Sequence, residues 1–407
     1  MSALERLIRY CRIDTQSDPD SQTSPSTKKQ FDLAKVLLKE LQDMGIQDAS
    51  LDDACYIYAH LESNLDHESP CVGFIAHMDT APDYSGTGVN PHVIENYDGN
   101  DIDLGNGVIT HIADFPEMAS LKGKTLVVTD GTTLLGADDK AGIASIMEAL
   151  QYLVSHPEVK HGRIAVAFTP DEEVGRGTEH FDVKKFGADF AYTMDGGDIS
   201  VYSDETFNAA SAVVKCTGVS IHPGSAKNKM VNALNVCVDY HNLLPAYERP
   251  EHTEGREPFF HLHRMHGDVD SAEAEYLIRA HETSDFEQMK KLMQQAADYI
   301  NDAYKRQVIT VEISDTYHNM KEVLVKHPEV SEIAVASLKD LGLTPVNESI
   351  RGGTDGSNLT FMGVPCPNLG NGGGNCHGRY EYCVVEQLEQ SSQLIEQIVR
   401  RTGEMRK

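Results

Sequence analysis

The sequence predicts an α/β fold: a mixed, largely parallel sheet with flanking helices, plus an inserted βαββαβ domain. Three observations predict it. Strand-length apolar runs alternate with segments of helical period between residues 56 and 194, the pattern of a sheet with a parallel core. One of these runs, Val72-Gly73-Phe74-Ile75-Ala76, is apolar without a break, as suits a strand buried on both faces. From Phe207 the order changes to strand, helix, two strands, helix and strand, the ferredoxin-like arrangement. A chain of 407 residues exceeds one ordinary core. Residues 1–206 and 320–407 are therefore read as one discontinuous domain and 207–319 as the insert.

In chain order, Leu4 to Cys11 has helical spacing. Ser24 to Met44 reads as a second helix, with Ser26 or Thr27 as its cap. Tyr56 to Leu61 and Cys71 to Ala76 are strands. Residues 82–120, rich in Gly, Asn, Asp and Pro, read as a long excursion with little regular structure. Thr125 to Thr129, Arg163 to Thr169 and Asp189 to Met194 are strands, with a helix from about Ala141 to Val154. In the insert, strands are expected at Ala209–Thr217, Phe259–His266, Ala274–His281 and Val308–Ser314. Helices are expected there at Met230–Leu244 and Asp285–Tyr304. Two more, Glu329–Leu341 and Val384–Arg400, follow in the resumed first domain.

Hydrophobic residues at 40% and charged residues at 24% mark a globular chain. A formal net charge of −28 repels nucleic acid and anionic membranes, so neither is an expected partner. The eight cysteines include no CxxC pair and read as reduced thiols. Met1 to Arg6 lacks the apolar core of a signal peptide, and no apolar run reaches membrane-spanning length. The expectation is a cytoplasmic protein.

The chemistry gathers at predicted strand ends. His77 and Asp79, Glu172 and Glu173, and Asp195 each follow one, and Asp138 sits between a strand and its helix. In open α/β sheets that edge binds ligands. His77 and Asp79 are two apart on a strand and share a side. His377 lies in Gly370-Asn371-Gly372-Gly373-Gly374-Asn375-Cys376-His377-Gly378, where glycines let backbone approach a ligand closely. Two histidines with several carboxylates suit zinc, with manganese or cobalt as alternatives, rather than a thiolate site. Taken singly, each has a plain reading: Asp138-Asp139 as a helix cap, Glu172-Glu173 as a solvated turn, Asp195 as a turn residue. Their joint occurrence at one sheet edge favours a metal centre. Either glutamate of the 172–173 pair can bind metal while its neighbour stays free as a base.

The segments Ala76-His77-Met78-Asp79, Gly136-Ala137-Asp138-Asp139-Lys140-Ala141-Gly142, Thr169-Pro170-Asp171-Glu172-Glu173-Val174-Gly175 and Asp195-Gly196-Gly197 resemble the co-catalytic di-zinc exopeptidase and aminoacylase clan. Phe168 to Gly175 and Ile350-Arg351-Gly352-Gly353-Thr354-Asp355-Gly356 are similar to the tripeptide aminopeptidases of that clan. The resemblance runs essentially end to end. It implies a zinc-exopeptidase-like catalytic domain with two Zn2+ per subunit. His77 and Asp195 would bind one, Glu173 and His377 the other, and Asp138 would bridge them. Asp79 would orient His77, and Glu172 would be the general base. It further implies that the insert closes over the site and mediates a homodimer. Ile221-His222-Pro223-Gly224 matches the motif whose histidine stabilises the oxyanion, often from the partner subunit. Arg351 matches the arginine that holds a substrate carboxylate, and Asn232 is a further substrate-contact candidate. Cys376 stands where an aromatic residue is expected.

The activity so implied is removal of the N-terminal residue from tripeptides. Two alternatives stand beside it: a di-zinc deacylase or carboxypeptidase acting on N-acyl amino acids, and a non-catalytic metal-binding protein. His261, His263 and His266 also suggest a metal cluster, but no acid lies at matching spacing, so they read as a partly exposed strand face. Asp98 to Asp103 lacks the terminal glutamate of a calcium loop.

Overall fold

A computed structural model describes residues 1–407. It divides into two compact units. The first is Met1–Asp204 with Glu322–Glu348 and Thr354–Lys407; the second is Glu205–Lys321 with Ser349–Gly353. The sequence reading placed 320–407 wholly with the first unit. Ser349–Gly353 group with the second instead because their side chains are engaged there. Ser349 Oγ donates to Glu205 at 2.6 Å, and Arg351 donates to the Gly255 carbonyl at 2.7 Å.

The first unit is built on an eight-stranded sheet. Its order is Ser50–Leu51, Ile57–Leu61, Ile164–Thr169, Val72–His77, Phe190–Gly196, Asn368–Gly370, Val201–Ser203 and Val346–Asn347. The central four strands run parallel, and antiparallel pairs join the flanks. Val72–His77 is buried along its whole length. Phe74 and Ala76 enter one core while Ile75 enters another on the opposite face, which is why the run has no polar alternation. Phe74 stacks on Tyr192 at 6.0 Å, and the Tyr192 hydroxyl donates to the Val330 carbonyl at 2.7 Å. Helices Ala3–Cys11, Ala137–Ser155 and Val385–Glu404 bury their apolar stripes in the first core.

Three sequence expectations change. The second helix spans Gln30–Asp43 and has no side-chain cap. Ser26 donates its N–H and hydroxyl to Asp171 instead, and Thr27 donates to the Gln16 carbonyl. The 82–120 excursion contains the strand His92–Ile94, the hairpin Ile102–Gly105 with Val108–Thr110, and a 3-10 turn at Pro116–Leu121. Leu126–Val128 lies outside the main sheet, in a small sheet ordered Gly373–Gly374, Tyr382–Val384, Leu126–Val128, His92–Ile94. Strands of two or three residues paired across such distances leave no period to read.

The second unit follows the βαββαβ order: Asn208–Thr217, Ala233–Leu243, Phe259–Gly267, Ser271–Ala280, Thr283–Tyr304 and Ile309–Tyr317. Its antiparallel sheet runs Phe259–Gly267, Ser271–Ala280, Asn208–Thr217, Ile309–Tyr317. Alternate residues such as Ala212, Val214, Tyr276 and Ile278 pack on one face against Val236, Tyr240, Met293 and Ile300 of the two helices. All eight cysteines are free, and only Cys376 is exposed. No helix is long and apolar enough to cross a membrane.

Candidate metal centre

The four parallel strands deliver their C-terminal ends to one edge, where ligands bind in open α/β sheets. His77 closes Val72–His77, Glu172 and Glu173 follow Ile164–Thr169, and Asp195 lies at the end of Phe190–Gly196. The Gly-rich loop to His377 leaves Asn368–Gly370. Asp138 sits at the entrance to Ala137–Ser155, where Asp138 and Asp139 depart from helical angles before the helix proper begins.

These side chains converge. His77 Nε2 lies 2.9 Å from Asp138 Oδ1 and 3.7 Å from Asp195 Oδ1. His377 Nε2 lies 3.3 Å from Asp138 Oδ2 and 3.0 Å from Glu173 Oε2. The two oxygens of Asp138 thus face different imidazoles. Ligand atoms of His77, Glu172 and Asp195 lie within 4.8 Å of one another, as do those of His77, Asp138 and Glu173. Glu173 Oε1 is buried with no hydrogen-bond partner. An orphaned carboxylate oxygen beside imidazoles and further acids is what a cation would satisfy. The donor set fits a borderline divalent metal.

Asp79 fixes two parts at once. His77 Nδ1 lies 3.1 Å from the Asp79 carbonyl and 3.4 Å from its carboxylate, which turns Nε2 toward Asp138. The same carboxylate accepts the N–H groups of Glu172 at 3.0 Å and Glu173 at 3.2 Å. The acidic turn is therefore held by the residue that orients the histidine.

The electrostatics point the same way. Burial, with the nearby Asp195 charge, pushes Glu172 well above the usual carboxylate range. Burial and the charges of Asp138 and Asp139 do the same to Asp195. Glu173 is pushed up to about 7 by burial and by Asp138. Asp138 is buried too, yet its hydrogen bonds to His377 and His77 hold it well below the usual range. Hydrogen bonds to Asp138 and Glu173 lift His377 to about 11. Two imidazoles do not neutralise this many crowded carboxylates, and a divalent cation does.

Several supporting residues were not legible in the sequence. Glu381, 1% exposed, accepts N–H groups from Leu135 at 2.8 Å, Gly136 at 2.7 Å and Asp138 at 3.0 Å. It cradles the backbone that presents Asp138. Asp139 accepts from the His77 and Gly142 N–H groups and from Asn371 Nδ2, which also donates to the Met194 carbonyl. A side chain at Gly142 would collide with that carbonyl and with Asp139. Asp171, at φ 56°, anchors the glutamate turn by accepting from Ser26 and Gln30. The only advance signal was an acid near each motif, which is common on any surface.

The other three candidates belong to the second unit. His222 Nδ1 accepts the Gly224 N–H at 3.1 Å, shaping the turn before it can do anything else. Asn232 is an N-cap, accepting from the Leu234 N–H at 3.0 Å and the Asn235 N–H at 3.4 Å. Arg351 donates to the carbonyls of Gly255, Glu257 and Thr253 and to the Thr253 hydroxyl. Its guanidinium also lies over Phe207 and Phe259 at 5.3 and 5.4 Å. It braces the 253–257 loop.

The family model described as Peptidase family M20/M25/M40 matches residues 127–401. The chain is 50% identical to a peptidase T of Alkaliphilus oremlandii, over 97% of this chain and 98% of that one. It is 51% identical to a peptidase T of Clostridium botulinum, over 97% of each. Its fold matches the crystal structure of aminopeptidase PepT from Bacillus cereus with a TM-score of 0.76 and 22% identity, over 98% of each chain. The chain belongs to peptidase family M20/M25/M40 and is a hydrolytic peptidase.

Proposed function

We propose that the chain is a metallo-aminopeptidase that removes the N-terminal residue from tripeptides. The single observation that carries the chemistry is Asp138, whose two oxygens address His77 and His377 separately. That is the arrangement of a carboxylate shared between two metals. His77 and Asp195 would hold one zinc ion, Glu173 and His377 the other, with Asp138 common to both; manganese or cobalt would fit the same donors. When bound, such a pair supplies Lewis-acid polarisation of the scissile carbonyl and lowers the pKa of water.

The chain's own residues do the rest. Glu172 takes a proton from the attacking water and returns it to the leaving amine. Its buried setting and raised affinity for a proton suit that exchange. Asp79 keeps both Glu172 and His77 in place. His222 would stabilise the oxyanion and Asn232 would contact substrate. Arg351 would hold the substrate's terminal carboxylate, which requires its guanidinium to exchange a loop carbonyl for that ligand. The tripeptide preference rests on likeness to the peptidase T relatives; the homodimer rests on the family resemblance of the insert, and the cytoplasmic location on an N-terminal stretch without the apolar core of a signal peptide.

A panel of tripeptides with free, N-acetylated and C-amidated termini tests this. Free tripeptides should be cut at the first bond, acetylated ones spared, and amidated ones cut slowly. Cleavage of acetylated substrates alone would give the deacylase reading instead.

A further inference from the structure

We propose that the outer face of the second unit's sheet carries a separate transition-metal site, formed by His263, His266, Glu273 and Glu275 and suited to Zn2+. Sequence spacing hides it, because the acids come from the next strand. Strands Phe259–Gly267 and Ser271–Ala280 pair antiparallel, Leu262 opposite Tyr276 but Arg264 opposite Glu275, so His263 is an extra, bulged residue.

The bulge decides which side chains meet. Phe260, Leu262 and Met265 all pack against the core, although Leu262 and Met265 are an odd number of residues apart. Without the bulge, His266 would share the core-facing side of Leu262. With it, His266 lies opposite Glu273 on the outer face. His263 Nε2 faces the same patch, 4.0 Å from Glu275 Oε2. Glu273 and Glu275 are two apart on one strand and share that face.

Ligand atoms of His266, Glu273 and Glu275 already lie within 4.8 Å of one another. Tetrahedral zinc, with bonds of about 2.0–2.2 Å, needs them at about 3.3–3.5 Å. Side chains on an open sheet face close that gap by rotation alone. Imidazole with carboxylate selects a zinc-like ion over calcium or magnesium. The present competitors are Arg264, whose Nη1 lies 3.5 Å from Glu275 Oε1 in a partly exposed ion pair, a weak kind of contact, and Lys215, which sits opposite Glu273 on the neighbouring strand but pairs with Glu312 at 2.9 Å. Nothing in this site depends on the catalytic reading, since its residues are separate from every residue named there.

The test is a Zn2+ titration of the metal-loaded, desalted protein against a chromogenic chelator, run on wild type, His266→Ala, Glu273→Gln and Arg264→Ala. Wild type should take up one Zn2+ beyond those it retains. His266→Ala and Glu273→Gln should each weaken that site at least tenfold, with peptide hydrolysis and thermal midpoint unchanged. Arg264→Ala should tighten it by freeing Glu275. The proposal fails if wild type binds no further Zn2+, or if the His266 and Glu273 variants bind it as wild type does. Binding loosened in Arg264→Ala would likewise remove Glu275 from the ligand set.

Discussion

The cluster around Asp138 and the cluster around His266 use the same side chains in opposite settings. At the first, the candidate ligands His77, Asp138 and Glu173 are held from behind. Asp79 grips His77 and the glutamate turn, Glu381 cradles the Asp138 backbone, and Asp139 ties the His77 strand to the Asn371 loop. At the second, two strands present their side chains to solvent, and the nearest supporting contact is a surface ion pair. The comparison teaches what burial adds. Crowded acids held by fixed donors cannot relax, so they are neutralised by taking up protons or a cation. Half-exposed acids keep part of their solvation and bind a cation only as strongly as geometry allows.

The largest expected effect is at the buried centre. Glu172→Gln should lower hydrolysis about 10²–10⁴-fold, while elemental analysis shows the bound metal unchanged. Undiminished turnover would remove Glu172 as the base. Next is Glu381→Gln, which keeps the volume but weakens three charge-assisted hydrogen bonds. Metal affinity, measured by chelator competition, should fall about 10–100-fold, the usual cost of losing a ligand's supporting partner. If affinity holds, the buried centre is no better braced than the exposed one.

A third prediction asks whether the second unit contains any braced carboxylate. Glu205 accepts from Ser349 and Asn319 and pairs with Arg256 and Lys321. Burial opposes its charge, but these partners hold it down at about 2. A folded-state value below the unfolded one means its contribution is full above the ordinary carboxylate range. That contribution fades as pH falls from about 4.5 toward 2. Glu205→Gln should therefore lower the melting temperature at pH 7, with the gap to wild type narrowing below pH 4.5. A gap independent of pH would sink this account. The smallest effect is His266→Ala, whose stability change should stay within about 0.5 kcal/mol by denaturant melts, as for other exposed positions.

How much was legible follows from where the information sits. The uninterrupted run Val72 to Ala76 announced a strand buried on both faces, and the structure places it in the middle of the sheet. The insert's alternating strands and periodic helices gave its βαββαβ order, with element ends within three residues of those observed. His77, Asp138, Glu173, Asp195 and His377 could be nominated because each adjoins a strand end, a helix start or a Gly-rich loop. What could not be read were the short strands His92–Ile94 and Gly373–Gly374, the helix Asp355–Phe361, and the supporting acids Glu381 and Asp171.

The sequence by itself determined the local periods, and through them the sheet edge at which its acids and histidines would gather. Only the tertiary structure decided which partner each side chain took. It gave Ser26 to Asp171 rather than to a helix end, Arg351 to the 253–257 loop, and His266 to Glu273 across a bulge. The reason is physical. Periodicity is a property of neighbours along the chain. Hydrogen bonds, register and bulges are settled by residues far apart in sequence that meet only once the chain has folded.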